Sequence, residues 1–572
     1  MSESEELPSK VAIGISFGNS FSSIAYTTPE GKAEVIANEE GDRQIPSVLS
    51  YVEGEEFHGT QAKAQLVRNP KNTVAYFRDF IGKDFKSIDP TPCHASAHPS
   101  EQSGTIAFSI KDTEADQENT VTVSEITTRH LKRLQQSASD YLGKEVKAAV
   151  ITVPTNFTDE QRKEVETAAK KTDLEILQFI HEPAAALLAY DARSSDASLK
   201  DKVVVLADLG GTRSDVAVVA SRGGIYTILS TVHDYELGGA ALDQILIDYA
   251  AKEFMKKNKT DPRQNERSLS KLKLEAEAVK KSLSIGASAS FSIESLADGV
   301  DFSLAVNRTR FELLANKTFS AITRLIESAI QKADLDALDI GEIVLAGGTS
   351  HIPKIARNLQ STFSERVTVL APSTSPVAIN PSELSARGAA IQASLIAEFE
   401  KEDIEQSTHA VVTVTPHLAK AIGITTVAES VGEEVFEPLI EANTAVPVRR
   451  TIEVAAPKDG GDVLVRICEG VSEIKVTKPE PKEKPATNGA GSDDDSDEDF
   501  SDDEEELREK LWKQGEVLAE AAVRGVKKGG KVEVQINVLA DLSVSVVARE
   551  VGGKGGVRGS LAAGKVAENG SA

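Results

Sequence analysis

Two stretches of the sequence, VAIGISFGNSFSSIAY (residues 11–26) and VVVLADLGGTRSDVAVV (residues 203–219), share one pattern of apolar and polar residues. In each, an apolar run enters a glycine-containing turn flanked by Ser, Thr or Asn, and a second apolar run follows. The pattern predicts two strands joined by a turn. Glycine allows the backbone to approach a ligand closely, so that successive N–H groups point at phosphate oxygens. The repetition therefore predicts a duplicated α/β region.

A third glycine turn, LAGGTSHIPK (345–354), lies in the same region. One such turn alone is weak evidence, because glycine-rich turns join strands in many proteins that bind nothing there. Three of them favour a nucleotide held between two lobes. Around the turns, short β-branched runs alternate with helical stretches, which is typical of an α/β fold. After residue 410 the β-branched runs follow one another at short intervals, which indicates a smaller antiparallel β-domain.

The segment 269–284 predicts an amphipathic helix with two distinct lines of side chains. Its buried face consists of apolar residues spaced three and four apart, namely Leu269, Leu272, Ala276, Val279 and Leu283. A polar line beside it consists of Glu277, Lys280, Lys281 and Ser284. Glu277 and Lys281 form either an ordinary surface ion pair, worth ~0.3–0.5 kcal/mol, or part of a hydrogen-bonding row for a nucleoside. Spacing alone favours the surface pair.

The composition is that of a soluble globular protein, with 572 residues of which 40% are hydrophobic and 27% charged. The net charge of -25 argues against broad binding to DNA or to an anionic membrane. Cys93 and Cys468 lack the spacing of a disulfide framework or a zinc site, so we expect no metal ligands and a reducing compartment. The acidic start lacks a signal-peptide pattern, and we expect a cytoplasmic protein.

We expect the chain to have four parts. They are a nucleotide-binding α/β domain at 1–399, a polar linker at 400–410, a truncated β-domain at 411–549 and a flexible tail at 550–572. The β-domain is interrupted at 478–506 by a Pro- and Lys-rich stretch that runs into a strongly acidic one. Like charges repel in such a segment, so it is predicted to be disordered. A solvated loop is favoured over a dedicated binding segment.

The sequence resembles the heat-shock protein 70 (DnaK-type) chaperone family. The similarity covers nearly all of residues 10–398 and includes the three turns, FIHEPAAALLAY and EAEAVKKSLS in the family's order. It implies an actin-like two-lobe ATPase domain with the nucleotide in the central cleft. The implied nucleotide-binding residues are Gly18, Asn19, Ser20, Phe21, Arg78, Asp208, Gly210, Gly211, Thr212, Arg213, Glu277, Lys280, Lys281, Ser284, Gly347, Gly348, Thr349, Ser350 and His351.

Four residues depart from the family's pattern where the phosphates would bind. Ser16 stands where the family has an aspartate, and Arg78 where it has the catalytic lysine. Thr212 and Arg213 replace a glycine and a threonine. Phosphoryl transfer depends on a positioned water and on stabilised charge, whereas binding needs less. We therefore expect ATP, with or without magnesium, to bind and to be hydrolysed slowly or not at all, and we assign no catalytic residue.

The C-terminal region departs from the family as well. It resembles the family's substrate-binding β-sandwich, but the stretch after Arg549 is too short and too glycine-rich for the helical lid. This combination resembles the atypical Ssz-type branch found in fungi, whose members form the ribosome-associated complex with the J-domain protein zuotin. The resemblance implies a stable heterodimer with a zuotin-like J-domain protein. An incomplete sandwich has open strand edges, which a partner segment can extend by strand addition.

The same resemblance implies a place of action. Ribosome contact would come mainly through the J-domain partner, and the complex would stimulate a ribosome-bound chaperone that assists the folding of nascent polypeptides. Two alternatives remain open. One is an active, ATP-hydrolysing, peptide-binding chaperone; the other is a different actin-like protein such as a sugar kinase or filament former, which the β-rich region after residue 410 disfavours. Whether the β-domain itself contacts nascent chains stays open.

Overall fold

The structure, a computed structural model, places residues 11–113, 117–192, 201–397, 399–408, 416–427, 434–457, 459–477, 507–553 and 556–562. The chain forms two compact units, 1–409 and 410–572. The acidic segment 478–506, predicted to be disordered, lies outside the described residues. Within the described ranges, no helix is both long and apolar enough to cross a membrane.

The first unit is built on two sheets of the same topology. In each sheet three strands are parallel, and the third of these starts an antiparallel run of two more. This shared order confirms the duplication predicted from the two repeated turns. The first sheet has the strand order Glu175–His181, Ala148–Val153, Ala12–Phe17, Phe21–Thr27, Ala33–Ile36, with Ile45–Pro46 beside Phe21–Thr27. The second has the order Thr368–Leu370, Glu342–Ala346, Lys202–Leu209, Ser214–Arg222, Ile225–Asp234.

Smaller sheets and helices surround these two sheets. The small sheets consist of Glu55–His58, Val48–Val52 and Thr73–Ala75; of Asn119–Thr122, Thr105–Ile110 and Pro99–Gln102; and of the hairpin Ser288–Ala297 with Val300–Asn307. The helices are Gly59–Ala64, Val123–Leu142, Asp159–Lys170, Glu182–Asp191, Gly239–Asn258, Glu266–Ile285, Arg308–Leu314, Asn316–Lys332, Pro353–Thr362, Leu384–Ile396 and Lys401–Thr408.

Local sequence signals set several helix ends. The helix Asp159–Lys170 begins with a capping box, in which the Thr158 hydroxyl accepts from the Gln161 backbone N–H and the Gln161 side chain accepts from the Thr158 N–H. Asn265 caps the start of Glu266–Ile285 in a similar way, accepting from the N–H of Ser268. The predicted amphipathic helix at 269–284 is confirmed within this element.

The expected polar linker at 400–410 is partly helical. Residues Lys401–Thr408 form a helix, and Ile404 lies 96% buried in a cluster with Ala148 and Leu177 of the first unit. The polar composition of the segment predicted a solvated linker. Burial of the apolar Ile404 side chain instead favours an ordered helix.

One helix packs against both a central strand and another helix at very short range. The helix Leu384–Ile396 contacts Ala12–Phe17 and Glu182–Asp191. A Cβ placed on Gly388 would lie 1.7 Å from the carbonyl oxygen of Ala185, and one on Gly14 would lie 2.1 Å from the backbone nitrogen of Ala390. Backbone therefore touches backbone at these two glycines, because no side chain intervenes.

The second unit contains two four-stranded antiparallel sheets that share one buried core. Val532, Val534, Ile536 and Val538 line the inner side of one sheet, and the residues between them are only partly buried. This alternation is the pattern predicted for a β-domain. The sheets have the strand orders Glu434–Ile440, Ala421–Val427, Gly461–Thr477, Leu507–Val526 and Val448–Ala455, Lys531–Val538, Val544–Glu550, Gly556–Leu561.

The prediction of a flexible tail at 550–572 is wrong for part of that segment. Residues Gly556–Leu561 form a strand antiparallel to Val544–Glu550. Leu561, opposite Val544, packs against the shared core, and its apolar contact anchors the end of a strand that is otherwise exposed and glycine-rich.

Replacing Gly388 with alanine is expected to destabilise the first unit by roughly 1–3 kcal/mol, because overpacked side chains force the backbones apart. All helices among the described residues lie in the first unit, and the single tryptophan, Trp512, lies in the second. Circular dichroism at 222 nm during urea unfolding therefore reports mainly on the first unit, and tryptophan fluorescence on the second. Gly388→Ala should lower the urea midpoint of the circular dichroism transition and leave the midpoint of the tryptophan fluorescence transition unchanged.

The matched control is Ser394→Ala, on the exposed side of the same helix, which should change stability by less than about 0.5 kcal/mol. Equal helical transitions for Gly388→Ala and the control would contradict the close-packing argument.

Candidate functional site

A cavity of about 640 Å³ lies where the glycine turns of the two sheets meet. The first turn follows the strand Ala12–Phe17, and the second follows Lys202–Leu209. The third follows Glu342–Ala346. The predicted residues that line the cavity are Gly18, Asn19, Ser20, Phe21, Arg78, Asp208, Gly210, Gly211, Thr212, Arg213, Glu277, Lys280, Lys281, Ser284, Gly347, Gly348, Thr349 and His351.

Ser350 is the predicted residue that the structure does not bring to the cavity. Its hydroxyl donates to the carbonyl oxygen of Ala346 at 2.5 Å, and the side chain is 98% buried. Ser350 was predicted because it belongs to the family-like GGTSH motif. In the structure, the 3-10 conformation of Gly348–His351 directs its hydroxyl toward the preceding strand instead of the cavity.

The turns touch each other, and glycine is what permits it. A Cβ on Gly211 would lie 2.3 Å from the hydroxyl oxygen of Ser20, so the first and second turns are in direct contact. The Asn19 amide also donates to the hydroxyl of Thr212 at 3.1 Å. Gly347 has φ 81°, and a Cβ there would lie 2.4 Å from a carboxylate oxygen of Asp208. The cavity floor is therefore backbone with short side chains, a surface suited to phosphate.

Glu277 binds two ammonium groups at one wall of the cavity. Its carboxylate lies 2.6 Å from Nζ of Lys63 and 2.8 Å from Nζ of Lys281. Burial raises the pKa of Glu277, but the charges of Lys63 and Lys281 outweigh it and hold the pKa well below its usual range. The two ammonium groups also lie over the Phe21 ring, 4.7 and 4.5 Å from its centroid.

The simple surface-pair interpretation of Glu277 and Lys281 is therefore wrong, because the Glu277 side chain is only 18% exposed and is shared with Lys63. The group forms a charged and aromatic wall suited to a planar ring.

Lys280 points inward rather than along the cavity wall. Its ammonium group donates to the carbonyl oxygen of Gly239 at 2.9 Å and to the carboxylate of Asp243 at 2.7 Å. The Ser284 hydroxyl donates to the carbonyl oxygen of Lys280 at 3.0 Å. The polar line predicted on this helix thus divides: Lys280 and Ser284 bond to protein, and Glu277 and Lys281 form the wall.

Two buried arginines, Arg78 and Arg213, lie beside the first two glycine turns. Arg213 donates to both carboxylate oxygens of Asp215, at 2.6 and 2.9 Å, and its Nη1 lies 4.0 Å from Asp79. Arg78 lies 2.7 Å from the same Asp79 oxygen and 3.7 Å from Glu182. One carboxylate thus stands between two guanidinium groups that come from different turns of the fold.

The three acidic groups beside these arginines, Glu182, Asp208 and Asp215, differ in pKa. Burial and the neighbouring Asp208 raise the pKa of Glu182 to about 8, so this group keeps its proton at neutral pH. Burial and Asp215 raise the pKa of Asp208 to about 6. Burial also acts on Asp215, but the hydrogen bond from His233, at 2.5 Å, and the charge of Arg213 lower its pKa. Asp215 therefore stays ionised.

Several cavity residues escaped the sequence analysis. Lys63 lies on the short helix Gly59–Ala64, which has no amphipathic pattern, and Asp243 lies on a helix chosen for no motif. Gln44 donates to the Ser23 hydroxyl at 2.6 Å and to the carbonyl oxygen of Ser382 at 3.0 Å. The sequence signal available for Gln44 was its place in the family-like segment VIANEEGDRQIPSVLSY.

A duplicated α/β unit whose glycine turns face one cavity is typical of two-lobed nucleotide-binding proteins. Comparison with known proteins gives the family: the description Hsp70 protein matches residues 12–480, and the chain belongs to the Hsp70 family.

Similar proteins span nearly its whole length. The ribosome-associated complex subunit SSZ1 of Saccharomyces cerevisiae is 45% identical over 97% of this chain and 100% of its own. A heat shock protein 70 homolog of Schizosaccharomyces pombe is 44% identical over 98% of this chain and 97% of its own. Heat shock 70 kDa protein 14 of Danio rerio is 32% identical over 83% of this chain and 92% of its own.

Glu182→Gln is expected to flatten the pH dependence of stability. The folded protein keeps the Glu182 proton that the unfolded chain releases near the ordinary pKa of 4.5. This contribution to the free energy of unfolding is full below that pH and is lost as the pH rises through about 8. Glutamine has no such proton. Melting followed by circular dichroism at pH 5.5 and 8.5 should show a smaller loss in the variant.

Glu160→Gln, an exposed substitution, serves as the control and should behave like the unchanged protein. If Glu182→Gln loses as much melting temperature between the two pH values as this control, Glu182 is not the group that titrates.

Proposed function

We propose that this chain is an ATP-binding subunit of a ribosome-associated chaperone complex, with little or no ATP hydrolysis of its own. The main support is the pair of buried arginines, Arg78 and Arg213, at the phosphate turns of a cavity of about 640 Å³. That volume suits a ligand of nucleotide size. The guanidinium fork matches phosphate oxygens better than a single ammonium group does.

The residues present fit ATP. The turn backbone at Gly18 and Gly211 lines the cavity, and Phe21 with Lys281 offers a surface for a purine. A magnesium ion that accompanies the nucleotide would supply charge compensation to its phosphates. Asp208, which is ionised above pH about 6, is a carboxylate suited to that ion.

The same residues are poorly suited to hydrolysis. A general base must accept a proton from the attacking water. Glu182 is already protonated at neutral pH, and Asp215 is held by Arg213 and His233. Ser16, which lines this part of the cavity, offers a hydroxyl in place of a carboxylate. These contacts favour a bound ATP in its ground state over its transition state.

The proposed role in a complex is supported by the similar yeast protein, whose name describes a subunit of a ribosome-associated complex and which this chain matches over its full length. The partner we propose is a zuotin-like J-domain protein, bound as a stable heterodimer. Ribosome contact comes mainly through that partner, in the cytoplasm, and the complex stimulates a ribosome-bound chaperone that acts on nascent chains.

The second unit offers the means for such a partnership. Every described element of this unit is a strand, and we propose that it works without the family's helical lid. Its two sheets end in the edge strands Glu434–Ile440, Leu507–Val526, Val448–Ala455 and Gly556–Leu561. Such edges present unpaired backbone groups to which a partner strand can add.

In a single-turnover assay with radiolabelled ATP, the full chain is expected to retain ATP with little conversion to ADP. Ser16→Asp alone should not restore turnover, because Arg78, Arg213 and the protonated Glu182 remain. Calorimetric titration with ATP checks binding in the same samples. Turnover at the rate of an ordinary Hsp70 ATPase would instead support an active, peptide-binding chaperone.

Purification of the tagged full chain from its own cells at moderate salt should bring down a J-domain protein and ribosomal proteins, identified by mass spectrometry. Higher salt should release the ribosomes first and keep the J-domain protein, because apolar strand addition depends less on charge than ribosome binding does. Recovery of the chain alone would count against the proposed complex.

A further inference from the structure

Arg78 and Arg213 are unusually buried for arginines that line a cavity. Their exposed fractions are 5% and 7%. Arg78 lies on the 3-10 segment Arg78–Phe80, and Arg213 closes the second glycine turn. Removing a guanidinium group from water is costly unless charged or hydrogen-bonding partners surround it.

Arg78 is held in place by Asp79 and Arg213 by Asp215, and hydrogen bonds tie Asp79 to both turns. Nη2 of Arg78 lies 2.7 Å and Nη1 of Arg213 lies 4.0 Å from the same Asp79 oxygen. The backbone N–H of Asp79 donates to the Asn19 amide oxygen at 3.3 Å, and the Asn19 amide donates to the Thr212 hydroxyl. The arginine pair is therefore positioned before any ligand arrives.

One donor of the pair nevertheless lacks an acceptor. Nε of Arg78 has no hydrogen-bond partner, although the side chain is 95% buried. The contacts of its Nη1 are long, 3.4 Å to the carbonyl oxygen of Phe17 and 3.7 Å to the carboxyl group of Glu182. Arg213 uses Nε and Nη2 on Asp215, and its Nη1 approaches Asp79 only to 4.0 Å. The buried Nε–H of Arg78, which has no acceptor, points to an absent oxyanion.

The turn at residues 18–21 connects this arginine pair to the charged and aromatic wall formed by Phe21, Lys63, Glu277 and Lys281. Phe21 contacts Lys63 and Lys281 there, whereas Asn19 belongs to the hydrogen-bonded chain that holds Asp79. A nucleotide with its ring against Phe21 would lay its phosphates along the turn toward the arginines. The arginines would then meet the terminal phosphate rather than the sugar.

We infer that Arg78 and Arg213 form a clamp for the terminal phosphate, so that the site selects nucleoside triphosphates over diphosphates. This inference rests on the proposed binding of ATP. ADP leaves the clamp without its acceptor, and the unpaired Nε–H of Arg78 stays buried. ATP supplies oxygens that both forks reach through charge-assisted hydrogen bonds.

Calorimetric titration of the full chain with ATP and with ADP, in the same magnesium-containing buffer, tests the clamp. We expect ATP to bind at least tenfold more tightly than ADP. Arg213→Ala should reduce that ratio to below threefold by weakening ATP, with a much smaller effect on ADP. Arg213→Lys keeps the charge without the fork and should give an intermediate ratio. The control Arg310→Ala, an exposed arginine stacked on Tyr249, should keep the full ratio.

The outcomes separate the two claims. Equal affinities for ATP and ADP in the unchanged protein would overturn the clamp and leave ATP binding intact. Binding of neither nucleotide would overturn the proposed function, and the clamp with it. The wild-type ratio requires no variant to fold, and circular dichroism at 222 nm shows whether Arg213→Ala and Arg213→Lys keep the helices of the first unit.

Discussion

Burial of positive charge at the phosphate turns is the constraint on which the site depends. Arg78 and Arg213 are stable there because they form ion pairs with Asp79 and Asp215. Asp79 in turn is tied to the first turn through Asn19. Asp79 thus pairs with Arg78 and connects it, through Asn19, to both turns, whereas Asp215 holds Arg213. Loss of either aspartate would leave a buried guanidinium group uncompensated, which costs more than an exposed ion pair.

In the proposed function, the same charges separate ATP binding from ATP hydrolysis. An arginine fork gives a phosphate more hydrogen bonds than a lysine does, and it holds them in a fixed plane. That rigidity favours a bound nucleotide, but the ion pair that positions Arg213 also occupies Asp215, a carboxylate that could accept a proton from water. A chaperone subunit whose task is to hold a partner gains from a nucleotide that stays in place. The open strand edges of the second unit give such a subunit a surface for that partner.

The repeated glycine turns predicted the duplicated α/β unit, and the resemblance to the Hsp70 family implied most of the residues that line the cavity. The two glycine turns have the same residue types at the same spacing, and the helix at 269–284 has a clear apolar face. The sequence did not predict contacts between side chains that are far apart in the chain. Glu277 pairs with Lys63, which is 214 positions away, and Lys280 turns toward Asp243. Helical spacing reports which side chains share a line, not what the neighbouring element places against them.

The sequence by itself determined the family, the order of strands and turns, and the substitutions Ser16, Arg78 and Arg213 that distinguish this site. Those properties depend on residue identity and on short-range periodicity. Only the tertiary structure decided the charge state of Glu182, the sharing of Asp79 between two arginines, and the strand that Gly556–Leu561 adds to its sheet. Each of these depends on burial and on distances between atoms far apart in the chain, and no local pattern encodes either quantity.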